Sequence, residues 1–475
     1  MRSELQKRNG INVSLWTKVL SLVMCMLLAL SLNACKKDDS GFETTHPGTS
    51  TDPVQYDEPF TGVPGARDVV MYEVNIQAFG AGGDFNGVRN RLAAIKELGV
   101  NVIWLMPVNT PGVLKSVGSP YAIKDYKGIN SKFGNLDELR LLVKEAHDLG
   151  MAVILDWVAN HTAWDHPWIQ TPEWYVRDNS GNIVSPSGWT DVAELNYNHM
   201  SMRHEMIRAM KYWVLTANVD GYRCDHADGV PADFWKQAID TLRKIPDRKL
   251  LMFAESSDKS MFSAGFDLVF GWDFYGRLKG VFNDNLPVSD LVAANTSDNL
   301  NVPTDKRVLR WISNHDDNAW DDTPLNIFQG KDGSLAAYAI TVFMGGSPLV
   351  YNGQEVGCPD KLSFFSGSVN KINWGINPDM PVQYQKLHAF RHGSNAVREG
   401  TVEAYGGSNH VLVFKRVLDG EQVLVLVNVR NTSQTYVLPA ELAGTTWVDA
   451  MTGADVRLGT EVELNAFQYL ILGTK

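Results

Sequence analysis

The feature that most constrains this chain is a rhythm beginning near Asp68, where short apolar runs alternate with amphipathic stretches. The runs are uniformly apolar, as in parallel strands buried on both faces. They predict strands at 69–74, 100–107, 152–157, 219–225, 250–255, 266–272, 308–315 and 348–351. Helical patterns at 88–98, 136–149, 201–217, 232–245 and 334–343 separate most of them. Eight strand–helix units predict an α/β fold closed into a (β/α)8 barrel of the TIM type. A doubly wound open sheet is the structural alternative, but no glycine-rich phosphate loop follows the first strand.

Two segments break the rhythm. After the third strand more than forty residues rich in Trp, Pro, Asn and Gly precede the next helix. A loop of that length is usually functional, and it predicts a small excursion domain at about 158–199 beside the barrel mouth. From about residue 399 the pattern becomes period two, as in 410–416 and 422–428, which predicts a C-terminal antiparallel β-sandwich over 399–475. The barrel is then expected over 63–398.

The N-terminus reads as an address. Arg2, Lys7, Arg8 and Lys18 precede an apolar run from Val19 to Leu32, too short for a permanent span. Leu32-Asn33-Ala34-Cys35 resembles a bacterial lipobox, which implies removal of 1–34 and acylation of Cys35. The following Lys36-Lys37-Asp38-Asp39 resembles the surface-export signal of Bacteroidetes lipoproteins and implies an outer-membrane protein facing the cell exterior. Residues 35–62, poor in apolar side chains, are expected to form a flexible tether. Cys224 and Cys358 make no disulfide framework and are expected as buried thiols. A net charge of −11 with no basic stripe argues against a nucleic-acid partner.

In a barrel, chemistry sits at the carboxyl ends of strands. Those ends are polar here: Asp156 with Asn160 and His161, Arg223 with Asp225, Glu255, and Asn314-His315-Asp316. A pair of carboxylates, one ionised to attack an anomeric carbon and one protonated to release the leaving oxygen, supports glycosyl transfer. Arg223 stands two residues before Asp225 and therefore faces the same side of its strand, where its charge would hold Asp225 ionised. Glu255 follows Leu-Leu-Met-Phe-Ala, an apolar approach that would raise its pKa. This physics alone leaves open which carboxylate plays which role.

At these residues the chain resembles the α-amylase family of glycoside hydrolases (family 13). The matching motifs are Asp156-Trp157-Val158-Ala159-Asn160-His161, Gly221-Tyr222-Arg223-Cys224-Asp225, Ala254-Glu255 and Ser313-Asn314-His315-Asp316. The stretch 118–134, with Gly118-Ser119-Pro120-Tyr121, and the triplet Gly353-Gln354-Glu355 complete the set in order. The resemblance implies Asp225 as nucleophile, Glu255 as general acid/base and Asp316 as a transition-state stabiliser. His161, His315 and Arg223 would bind the sugar, and Tyr121 would stack beneath it. A covalent intermediate implies retention, with the two carboxyls about 5–5.5 Å apart.

The substrates implied are starch-like α-1,4-glucans or maltooligosaccharides. Sibling activities stay open: cyclomaltodextrinase, α-1,6-glucosidase, transglycosylase. A dead glycan-binding barrel would be expected to lack Asp225 or Glu255, and both are present. His226-Ala227-Asp228-Gly229 departs from the Lys-His that many relatives carry past the nucleophile, which bears on chain-length preference. Calcium is left open as well: Asn160 matches one family ligand, while Glu194 stands with an extra methylene where the family has Asp. No organic cofactor is implied.

Overall fold

The computed structural model describes residues 52–474 apart from Ser366 and Ser368. The expected leader, Cys35 and the first part of the tether lie outside the described residues. Eight parallel strands form a closed ring in chain order. They are β1 (Met71–Val74), β2 (Val102–Leu105), β3 (Ala152–Val158), β4 (Gly221–Asp225), β5 (Leu251–Ala254), β6 (Leu268–Phe270), β7 (Arg307–Arg310) and β8 (Ser347–Tyr351). β1 pairs with β8 through Met71 opposite Leu349, which closes the ring.

The strands are buried almost throughout, because their outer faces are covered by helices and the bore is filled by side chains. Trp104 and Phe253 meet edge to face inside it, with centroids 5.8 Å apart. The covering helices form for local reasons. Helix Leu136–Asp148 opens on a capping box, in which Asn135 accepts from the Glu138 N–H and Glu138 answers the Asn135 N–H. It buries Leu139, Leu142, Val143 and Ala146 on one face.

Several expected boundaries shift. The helix expected at 88–98 is two, Phe85–Arg89 and Leu92–Glu97. Asp84 caps the first a turn early by accepting from the Gly87 N–H, and Arg91, at φ −117° and ψ 0°, interrupts the pair. Strands six and seven are shorter than expected. Trp272 begins the helix Trp272–Asn283, and His315 begins Trp320's short helix after an Asn314 cap. The tether expectation also needs correction at its end. Residues 52–62 lie against the barrel: the Tyr56 N–H donates to the Leu215 carbonyl at 2.7 Å, and Phe60 stacks on His147 at 4.4 Å. Two aromatic rings in an otherwise polar stretch suffice to dock it.

The excursion after β3 is built on one antiparallel pair, His161–Ala163 with Val192–Glu194, and three short 3-10 turns. Trp157, at the end of β3, is fully buried, Trp164, Trp168 and Trp174 pack half-buried against the core, and Trp189 is exposed. Trp157 and Trp168 lie 5.2 and 5.1 Å from Tyr126, and Trp174 meets Trp168 edge to face. Beyond the barrel, a six-stranded antiparallel sheet begins at Thr401–Tyr405 and ends at Tyr469–Gly473, with a second, two-stranded sheet of Gln434–Val437 and Glu461–Leu464. A separate apolar core that includes Leu424, Leu426, Tyr436 and Trp447 fills this unit. Among the described residues no helix is long and apolar enough to cross a membrane.

Gly221 opens β4 at φ +146°, and a Cβ there would stand 1.9 Å from the Leu251 carbonyl oxygen of β5. Backbone cannot yield as a flexible side chain would. Gly221→Ala is expected to destabilise by roughly 3 kcal/mol or more, read as a lower urea midpoint. An unchanged midpoint would contradict this packing.

Candidate active site

The carboxyl ends of the strands converge under a cleft of about 510 Å³ lined by Tyr121, His161, Trp189, Asp225, Glu255 and Asp316, among others. Parallel register builds its floor. Asp156 on β3 stands opposite Arg223 on β4, and Cys224 opposite Ala254 on β5. Arg223 is fully buried, and its guanidinium touches three carboxylates. Nη1 donates to Asp156 Oδ1 and to Asp225 Oδ1, both at 2.9 Å. Nη2 lies 2.7 Å from Glu255 Oε1, an ion pair without hydrogen-bond geometry.

Glu255 is also held from the backbone. His226 adopts a left-handed conformation (φ 41°, ψ 51°) that turns its N–H onto Glu255 Oε2 at 2.6 Å. Burial raises the Glu255 carboxyl above the usual glutamate range, Arg223 pulls it back, and the Asp225 charge pushes it up again. Asp156 sits deeper. Burial against the pull of Arg223 pushes it up to about 7, while Trp104 Nε1 and the Tyr121 hydroxyl both donate to its Oδ2.

On the opposite wall His315 links the floor to Asp316. Its Nδ1 lies 2.6 Å from Glu73 Oε1 and its Nε2 lies 2.8 Å from the Tyr121 hydroxyl. Burial opposes its charge, but Asp316 and Glu73 outweigh that and raise it to about 9, so it is an imidazolium at neutral pH. Asp316 is the most exposed of the expected carboxylates, with His315 Nε2 3.5 Å from its Oδ2. Burial lowers His161 to about 4, so it stays neutral there.

All seven residues expected for catalysis and sugar binding are therefore together. Asp225, Glu255, Asp316, Tyr121, His161 and His315 line the cleft, and Arg223 lies beneath it. Glu355, from the last motif, is elsewhere: it accepts from the Tyr72 hydroxyl at 2.5 Å inside the protein. Cys224 and Cys358 are buried free thiols. Glu73 also belongs to the site, and its only sequence signal is an acid inside the buried run Met71–Val74. Trp272, Trp320, Phe364 and Phe365, also outside the motifs, form much of the cleft's apolar wall.

Of the side chains expected to hold calcium, Asn160 follows β3 and Glu194 lies in the excursion. Asn160 Nδ2 donates to His161 Nδ1 at 3.2 Å, and Glu194 lies on the short strand facing His161. Among the described residues no three His, Cys, Asp or Glu side chains group for a metal, so any calcium here would draw on Asn160 and backbone oxygens as well.

Comparison with known proteins agrees with this geometry. Residues 39–189 match the α-amylase catalytic-domain family, and residues 405–471 match the maltogenic-amylase C-terminal domain. The chain is similar to α-amylase-type glycoside hydrolases over most of its length. It is 27% identical over 421 residues to "Alpha-amylase MalA" of Haloarcula japonica, spanning 85% of this chain and 61% of that protein. It is 24% identical to "Alpha-amylase 3" of Dictyoglomus thermophilum, over 80% of this chain and 87% of that one. Among solved structures, an α-amylase from Lactobacillus plantarum superposes with a TM-score of 0.78 at 27% identity, covering 86% of this chain and 99% of that one. Maltogenic α-amylase AmyB from Thermotoga neapolitana gives 0.76 at 28% identity with the same coverage.

Proposed function

We propose that the protein is a retaining hydrolase of α-1,4-glucosidic bonds in starch-like glucans or maltooligosaccharides. The observation that carries this is Arg223, which gathers Asp225 and Glu255 from adjacent strands under an open cleft. In the first step Glu255 gives its proton to the glycosidic oxygen while Asp225 attacks the anomeric carbon; the C–O bond breaks and a glycosyl-aspartate forms. In the second, Glu255 takes a proton from water, whose oxygen attacks the same carbon and frees Asp225. Arg223 pairs with Asp225 at 2.9 Å and fixes its position, and the raised pKa of Glu255 favours its protonated form for the first step.

Support for the substrate class comes from relatives with related names, among them "Cyclomaltodextrinase" and "Neopullulanase 2". These names also keep the sibling activities in the test. The purified protein is incubated with soluble starch, β-cyclodextrin and pullulan, and products are resolved by size. Rapid shortening of starch supports the reading; preference for either other substrate moves the enzyme to that sibling; no turnover of any sinks it.

Because Glu255 must be protonated for the first step, kcat/KM should fall as pH rises through its raised pKa. Glu255→Gln should lower starch turnover about 10²–10⁴-fold and remove that basic limb. An aryl glycoside with an acidic leaving group should lose much less in bond breaking. A basic limb unchanged in the variant would assign it to another group.

For localisation the proposal rests on sequence alone: acylation at Cys35 anchors the enzyme in an outer membrane, facing outward. Fatty-acid labelling in cells should disappear in Cys35→Ala, and labelling that persists would overturn the anchor.

A further inference from the structure

A second cavity, of about 590 Å³, opens at the amino-terminal end of the barrel strands, away from the cleft. Arg307, the first residue of β7, and Gly345 and Gly346, just before β8, form one side of it, and Gly400–Val402 and Arg416 of the C-terminal sheet form the other. Its lining carries four cations, Lys306, Arg307, Arg398 and Arg416, against a single acid, Glu399.

Three of those charged groups are already matched. Lys306 pairs with Asp267 at 2.7 Å, Arg398 with Asp68, and Glu399 with Arg67 at 2.7 Å. Among the described residues Arg307 and Arg416 make no ion pair within 4.0 Å. Arg307 donates only to the carbonyls of Thr304, Lys306 and Arg398, and Arg416 to those of Ala396 (3.2 Å) and Phe343 (3.5 Å). Behind them Arg391, fully buried, also bonds carbonyls alone, and its Nε has no partner.

The ordinary explanation is capping, since Val342 and Phe343 end the helix Lys331–Phe343. A helix C-terminus offers roughly half a negative charge, too little for three guanidiniums. Burial, followed by mutual repulsion, lowers Arg391 to about 9 and Arg416 to about 10. Glu399, Asp68 and Asp305 act on Arg307 through space, but none bonds it and no acid acts on Arg416, so two guanidiniums that keep their protons at neutral pH stand beside open space with N–H groups shared only among carbonyls.

We propose that this cavity binds a phosphate-class oxyanion between Arg307 and Arg416, with room for a phosphomonoester the size of a sugar. Guanidiniums suit phosphate because their paired N–H groups match its oxygens. The volume falls within the range of small-molecule sites and exceeds what inorganic phosphate alone would fill. Asn295 and Asn299 add neutral amides to the same wall.

The test is thermal unfolding of the purified protein with inorganic phosphate or glucose 6-phosphate, against chloride at equal ionic strength. Both phosphate compounds should raise Tm above the chloride control. A larger rise with the ester assigns the rest of the cavity to the sugar; an equal rise assigns the phosphoryl group alone. Arg307→Gln should weaken binding about tenfold or more, with starch hydrolysis unchanged. Arg307→Lys, which keeps the charge without the fork, should fall between and guards against misfolding of the first variant. No rise beyond chloride with either compound, or a rise undiminished in both variants, overturns the site.

Discussion

Asp225→Asn is expected to lower kcat on starch by on the order of 10⁴–10⁶-fold while leaving the fold intact, because it removes only the attacking charge. Asn keeps the size of Asp and one oxygen to accept from Arg223 Nη1, which donates to Asp225 at 2.9 Å in the native site. Substrate binding should change little, so the loss belongs in kcat rather than KM. Equal unfolding midpoints alongside the lost turnover would locate the effect in chemistry. A variant retaining a tenth of the activity would show that another group attacks the anomeric carbon.

Arg223→Met should have the largest combined effect. It strips the counter-charge from Asp156, Asp225 and Glu255 at once, and Asp156 and Arg223 are fully buried. Removing one partner of a buried pair costs about 3–5 kcal/mol, because the charges left behind stay desolvated. Asp156, already pushed up to about 7, would rise further, and Asp225 would lose the ion pair that positions it. Activity should vanish at neutral pH and return in part at higher pH. Arg223→Lys separates the two roles. It restores a charge but not the fork, so it should recover most of the stability and still lose about a hundredfold in kcat/KM. If Arg223→Met were as stable as the native protein, the guanidinium would not be the tie described here.

How much of this was legible beforehand follows from what each residue depends on. Arg223 and Asp225 could be placed on one face by the period of a strand, and the structure joins them through Nη1. The barrel itself was legible because parallel strands buried on both faces read as uniform apolar runs. The contact of Arg223 with Asp156 depends on register between β3 and β4, which spacing along the chain does not encode. Glu73 needed the same knowledge: an acid in a buried strand is intelligible only when His315, far along the chain, is seen beside it. The left-handed turn at His226 that aims an N–H at Glu255 has no glycine to announce it. Residues 52–62 read as tether by composition, and only packing of Tyr56 and Phe60 shows otherwise.

A double displacement by Asp225, with Glu255 as acid and base, fixes the configuration of the first product. Proton magnetic resonance during early hydrolysis of a maltooligosaccharide follows the anomeric signal before mutarotation blurs it. The α-anomer should appear first. Initial release of the β-anomer would mean a single displacement by water, and would contradict the role assigned to Asp225.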